Sequence, residues 1–61
     1  MTFREIEKEI LADGWKYYKA RGSHYYYKHN IKSGKVCIPN HGGKDIKPKT
    51  ISSIRKQAGL K

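Results

Sequence analysis

Ser23-His24-Tyr25-Tyr26-Tyr27-Lys28-His29 and Lys35-Val36-Cys37-Ile38-Pro39, joined by Asn30-Ile31-Lys32-Ser33-Gly34, decide the fold of this chain. The outer runs are rich in tyrosine and β-branched residues, and the Asn, Ser and Gly between them supply hairpin chemistry. They predict two antiparallel strands. Val36 and Ile38 share a parity, so both point to one face, toward a core. Pro39 cannot donate to a ladder and marks a strand end or a sheet edge. Tyr25, Tyr26 and Tyr27 are consecutive, so alternation leaves open which of them faces inward.

Upstream, the aromatic-rich run Trp15 to Ala20 reads as a first strand, with Arg21-Gly22 turning the chain into the second. Before it, Thr2 followed by Glu5 makes a capping box. Phe3, Ile6 and Ile10 then fall on one helical face with Leu11 beside it, and Gly14 caps that helix at its C-terminus. Downstream, Pro48 suits the first turn of a second helix, whose Ile51, Ile54 and Ala58 share a face before Gly59 ends it. The order is α-β-β-β-α. A three-stranded antiparallel sheet must bury one face, and the two amphipathic helices are the cover available. The expected class is α+β, with both helices on one face of the sheet, as in double-stranded-RNA-binding domains. Sixty-one residues allow a single domain, 1–61, without repeats or linker. At that size only about 60% of the unfolded surface is buried, so the core is thin.

Charge narrows the function. The net charge is +9, yet four of the five acids (Glu5, Glu7, Glu9, Asp13) lie in the first thirteen positions. From Gly14 onward twelve Lys and Arg face Asp45 alone, a balance of +11. Such a field gathers polyanions. The lysines sit among aromatics on strands and turns, as in single-strand nucleic-acid binders, rather than on the basic amphipathic helix a membrane surface would select. No helix-turn-helix signature points to DNA. Trp15 and the tyrosines read mainly as core and sheet-face packing, with room for one or two to stack on a base. The lone Cys37 has no internal disulfide partner and reads as a small apolar strand residue. The N-terminus shows no apolar signal or membrane span, so a cytoplasmic protein is expected.

Four short motifs stand in order along the chain: Asp13-Gly14-Trp15, Gly22-Ser23-His24, Ile38-Pro39-Asn40-His41, and Ile54-Arg55-Lys56-Gln57-Ala58-Gly59-Leu60. In these the chain resembles, nearly end to end, the HicA-type mRNA interferase toxins of bacterial toxin–antitoxin pairs. The resemblance implies an endoribonuclease acting on mRNA and a cognate HicB-type antitoxin that covers the active surface in a hetero-oligomer. It also makes His24 the catalytic residue, since the family's catalytic histidine holds the third position of the Gly-Ser-His motif. Without the family, a lone exposed histidine in such a chain reads as a bystander.

The chemistry suits the residue. Histidine exchanges protons near neutral pH, and RNA cleaves itself when a base takes the 2′-hydroxyl proton and an acid protonates the departing 5′-oxygen. No metal or other cofactor is required. His24 and His29 have opposite strand parity, and Cys37 lacks a Cys-x-x-Cys partner, so no tetrahedral zinc set assembles. His29, beside Lys28 and Asn30, reads as solvent-exposed. Gly22 lets the backbone turn and a phosphate approach. Ser23 can donate to that phosphate or to its own backbone. His41 is a second candidate acid or phosphate ligand, or simply a hydrogen-bonded residue leaving the third strand. Gly42-Gly43-Lys44 lacks the rest of a phosphate loop and reads as a flexible turn. Lys44, Lys47 and Lys49 precede or open the second helix, whose N-terminus favours anions. With Gly22, Ser23, Lys28 and His41 they are the expected RNA-binding residues. A non-catalytic RNA-binding module, in which His24 only touches a phosphate, is the competing reading.

Overall fold

The computed structural model of the protein describes residues 1–40 and 44–60. Its elements are α1 (Phe3–Ala12), β1 (Lys16–Arg21), β2 (His24–Lys28), β3 (Val36–Pro39) and α2 (Pro48–Gln57). The strands form one antiparallel sheet in the order β1-β2-β3, so the predicted α+β order holds.

Both helices begin and end as their end residues dictate. Thr2 and Glu5 exchange hydrogen bonds in a complete capping box at the start of α1. At the other end Gly14 N–H donates to Leu11 O at 3.0 Å and Trp15 N–H to Ile10 O at 3.1 Å. That pair of bonds is a Schellman motif, and it places Gly14 at φ +104°, where an L side chain is strained. The end of α2 repeats it, with Gly59 N–H on Lys56 O and Leu60 N–H on Arg55 O.

Register settles what alternation left open. Tyr27 pairs with Val36 and Tyr25 with Ile38, so all four face the helices. Tyr26, between them, faces away. Ile6 and Ile10 of α1, Ile51 and Ile54 of α2 and its C-cap Ala58 close over Tyr27, Val36 and Ile38 in one core cluster. Full burial of each such large side chain contributes roughly 1.5–3 kcal/mol. Tyr27, fully buried, keeps its hydroxyl satisfied by donating to Glu7 Oε2 at 2.6 Å. Burial, the bond to Glu7 and its charge together push that hydroxyl far above the usual tyrosine range.

The strand limits differ slightly from those expected, for local reasons. Trp15 lies before β1 rather than in it. Its amide is committed to the α1 terminus, and its indole N–H donates to Ala58 O at 3.2 Å, tying the ends of the two helices together. β1 runs on through Arg21, and Gly22-Ser23 make the turn, with Gly22 at φ +57°. Ser23, His29 and Lys35 fall outside the strands.

His29 departs most from its reading as an exposed residue. Its ring is half-buried, edge-on to Trp15 at 5.2 Å between centroids. Nδ1 accepts from the amides of Ile31 and Lys32 at 3.0 and 3.1 Å, which leaves Nε2–H to donate to Asp13 O at 2.8 Å. His29 thereby organises the β2–β3 connection and ties it to the end of α1. Lys32 joins the knot through Asp13 and Ala58 O. A Cβ on Gly14 would lie 2.7 Å from His29 Nε2. Gly14→Ala is therefore expected to destabilise by more than the roughly 1 kcal/mol of left-handed strain alone, because the His29–Asp13 bond must also give way. Thermal unfolding should show a midpoint lowered by at least about 4–8 °C, and an unchanged midpoint would remove His29 from this role.

Candidate nucleic-acid interface

The face of the sheet opposite the helices is built almost wholly of cations and aromatics. His24, Tyr26 and Lys28 alternate onto it along β2, and their partners follow: Arg21 opposite His24, Lys16 opposite Lys28, Pro39 and Cys37 on β3. β1 adds an extra residue there. Its pairing slips between Tyr17 and Lys19, so that Lys19 comes to lie opposite Tyr26. Such a bulge re-aims side chains, and here it presents Tyr18 and Lys19 on the same side. Lys28 Nζ sits 4.7 Å from the Tyr18 ring centroid, and Lys19 Nζ lies 5.6 and 5.5 Å from the rings of Tyr18 and Tyr26.

No acid stands on any strand. The acids of the N-terminal segment are engaged elsewhere: Glu5 caps α1, Glu7 holds Tyr27, Glu9 pairs with Arg55, and Asp13 pairs with Lys32. The bonds from Thr2, Arg55 and Lys32 hold Glu5, Glu9 and Asp13, respectively, below the usual carboxylate range, so these acids stay ionised where they are. None of these four acids, and no residue of the strands, neutralises the positive charge of the open face.

His24 is exposed and opens β2 directly after the Gly22-Ser23 turn. Ser23 accepts Asn40 N–H on its carbonyl at 2.7 Å, which fixes the turn against the end of β3 while leaving Ser23 exposed. Lys28, also exposed, stands on the same face at the far end of β2. Lys44, Lys47 and Lys49 are exposed too, but they belong to the segment entering α2 and its first turn, not to the sheet. Asn40, after β3, lies beside Ser23, and Ile46 N–H donates to Met1 O at 2.7 Å. Lys47 is the N-cap residue of α2 and gives no side-chain cap, so the amides of the first turn keep their pull on anions. His41 lies outside the described residues.

Sequence reasoning missed Tyr18, Lys19, Arg21 and Tyr26 as members of this surface. Tyr26 follows once Tyr27 is known to pair with Val36, but that register is a property of two strands together. The bulge left no signal in the sequence. His24 makes no side-chain hydrogen bond among the described residues. Its backbone pairs with Arg21, on a surface suited to binding a phosphodiester and exchanging protons with it.

Two comparisons with known proteins bear on this surface. Residues 3–60 match the family described as HicA toxin of bacterial toxin-antitoxin. The chain is also 34% identical over 61 residues to a probable mRNA interferase HicA of Pseudomonas fluorescens (strain Pf0-1), covering all of this chain and 98% of that protein.

Proposed function

This chain belongs to the HicA toxin family, and on that premise we propose that residues 1–61 form a toxin endoribonuclease that cuts mRNA with His24. The observation that carries the reading is the place of His24: exposed, at the start of β2, on an acid-free basic face. As general base His24 takes the proton of a ribose 2′-hydroxyl. The 2′-oxygen attacks the adjacent phosphorus, a 2′,3′-cyclic phosphate forms, and the bond to the 5′-oxygen breaks as that oxygen takes a proton from a second acid, for which His41 is the candidate, or from water. Arg21, opposite His24, and the neighbouring lysines stabilise charge gathering on the phosphoryl oxygens. Gly22 and Ser23 shape the approach to the phosphate, and Lys28 and the Lys44, Lys47 and Lys49 group bind the backbone on either side. His41 is proposed as a second acid or phosphate ligand.

The chemistry needs no metal or cofactor, so cleavage should persist in EDTA and yield 5′-hydroxyl and 2′,3′-cyclic phosphate ends. Products bearing 5′-phosphates would defeat the mechanism. In the cell the chain is proposed to be cytoplasmic, held in check by a HicB-type antitoxin that covers His24. No helix among the described residues is long and apolar enough to cross a membrane. The freedom of the His24 ring, with no carboxylate among the described residues to orient it, favours one other reading: an RNA-binding module in which His24 only contacts phosphate.

The lysine group has its own test. Changing Lys44, Lys47 and Lys49 together to Gln should flatten the salt dependence of single-stranded RNA binding, by roughly 0.7 in log K against log salt for each lost contact. An unaltered slope would reduce the three to a solvated cluster.

A further inference from the structure

We propose that Tyr18 and Tyr26 are base-stacking platforms and that the open sheet face admits RNA only as a single strand, threaded past His24. The inference rests on the reading of this surface as the RNA site and adds to it the form of the substrate. Three observations carry it. Of the five tyrosines, Tyr25 and Tyr27 are spent on the helix side, Tyr25 edge-on to Phe3 and Tyr27 in the core. Tyr18 and Tyr26 have no core to fill on their side of the sheet, yet the β1 bulge brings Tyr18 onto it and the pairing of β2 with β3 turns Tyr26 the same way. Finally, both rings are half-buried, and the cations set over them are the ammonium ends of the exposed Lys19 and Lys28.

Magnitudes favour a base over the resident lysines. A cation–π contact at an exposed site contributes about 0.5–1 kcal/mol, whereas a base stacked on an aromatic contributes about 1–3 kcal/mol. A lysine displaced by a base does not lose its partner, because the incoming strand brings a phosphate for the ammonium. Each ring–lysine pair thus becomes a base–ring and a phosphate–lysine pair. Geometry sets the order. His24 and Tyr26 stand two residues apart on one face, about 7 Å along the strand, room for one nucleotide. The base on Tyr26 therefore belongs to a nucleotide next to the bond presented to His24, and Tyr18 holds a neighbour. A paired helix keeps its bases stacked inside and cannot offer them to the rings. Because every base has a π-face, the platforms grip without selecting sequence.

The test uses the full chain carrying His24→Ala, so that RNA binds without being cut, and a short single-stranded oligoribonucleotide. Tyr18→Leu and Tyr26→Leu should each weaken binding by about 5- to 150-fold, the loss of one stacked base, while Tyr→Phe at either position keeps the affinity. In the otherwise unaltered enzyme the Leu changes should raise KM far more than they lower kcat. A second arm needs no change to the protein. Removing a base at the position held by Tyr26 should weaken binding to the His24→Ala chain but not to the chain that also carries Tyr26→Leu. Leu variants that bind as tightly as the parent, indifference to the missing base, or equal affinity for the matching duplex would each overturn the proposal, even with cleavage by His24 intact. Tyrosine-dependent binding by a protein that never cuts RNA would instead uphold the platforms and reject the enzyme.

Discussion

Replacing His24 by alanine is expected to leave the fold standing and to lower RNA cleavage by about 10²–10⁴-fold, the range of a general acid–base. The first half follows from position. His24 is exposed and makes no side-chain hydrogen bond among the described residues, so truncating it opens no cavity and orphans no partner. Its backbone pairs with Arg21 and Pro39 and is unaffected by the side chain. The second half follows from the role proposed for His24 as the base. His29 has both ring nitrogens committed to backbone partners, so it cannot take over that role, and His41 is proposed as acid or phosphate ligand instead. Single-stranded RNA should still bind, since Arg21, Lys19, Lys28 and the two open-face tyrosines remain, and the loss should fall on kcat rather than KM. Melting curves of parent and variant that coincide, with cleavage at the parental rate, would take His24 out of the mechanism. Loss of binding and cleavage together would recast it as a phosphate contact.

Much of the framework was legible because it is local. Thr2 with Glu5, and Gly14 and Gly59 after their apolar faces, declare where helices start and stop, and each does so within one turn of chain. Ile6, Ile10, Ile51 and Ile54 announce their burial by helical spacing alone. What stayed hidden depends on contacts far apart in sequence. The Tyr25-Tyr26-Tyr27 run becomes readable only when Val36 and Ile38 are set beside it, and then one tyrosine of the three turns outward. His29 looks like a strand-end residue until Asp13 and Trp15 arrive from the end of α1. The open face was half visible: motif and charge pointed to His24 and Lys28. Tyr18 and Lys19 needed the bulge, which no residue type marks.

The partner should bind where the charge is left over. The internal pairing of Glu5, Glu7, Glu9 and Asp13 leaves Lys16, Lys19, Arg21 and Lys28 with no acid on their own face, so an antitoxin with an acidic patch is drawn to the surface RNA would use. Binding should be competitive. At a free antitoxin concentration of 1,000 Kd, about one site in 10³ stays open, and cleavage should fall by that factor. The same ratio stabilises the toxin by about 4 kcal/mol through mass action, a large gain for so thin a core. Diethyl pyrocarbonate can read the site directly. His24 should react quickly in the free toxin and slowly in the complex. His29, hydrogen-bonded at both ring nitrogens, should react slowly in either state and serve as the internal control. Raised salt should loosen the complex if the acidic patch is the contact. An antitoxin that binds tightly and abolishes cleavage, yet leaves His24 as reactive as in the free protein, would place inhibition somewhere other than the open face.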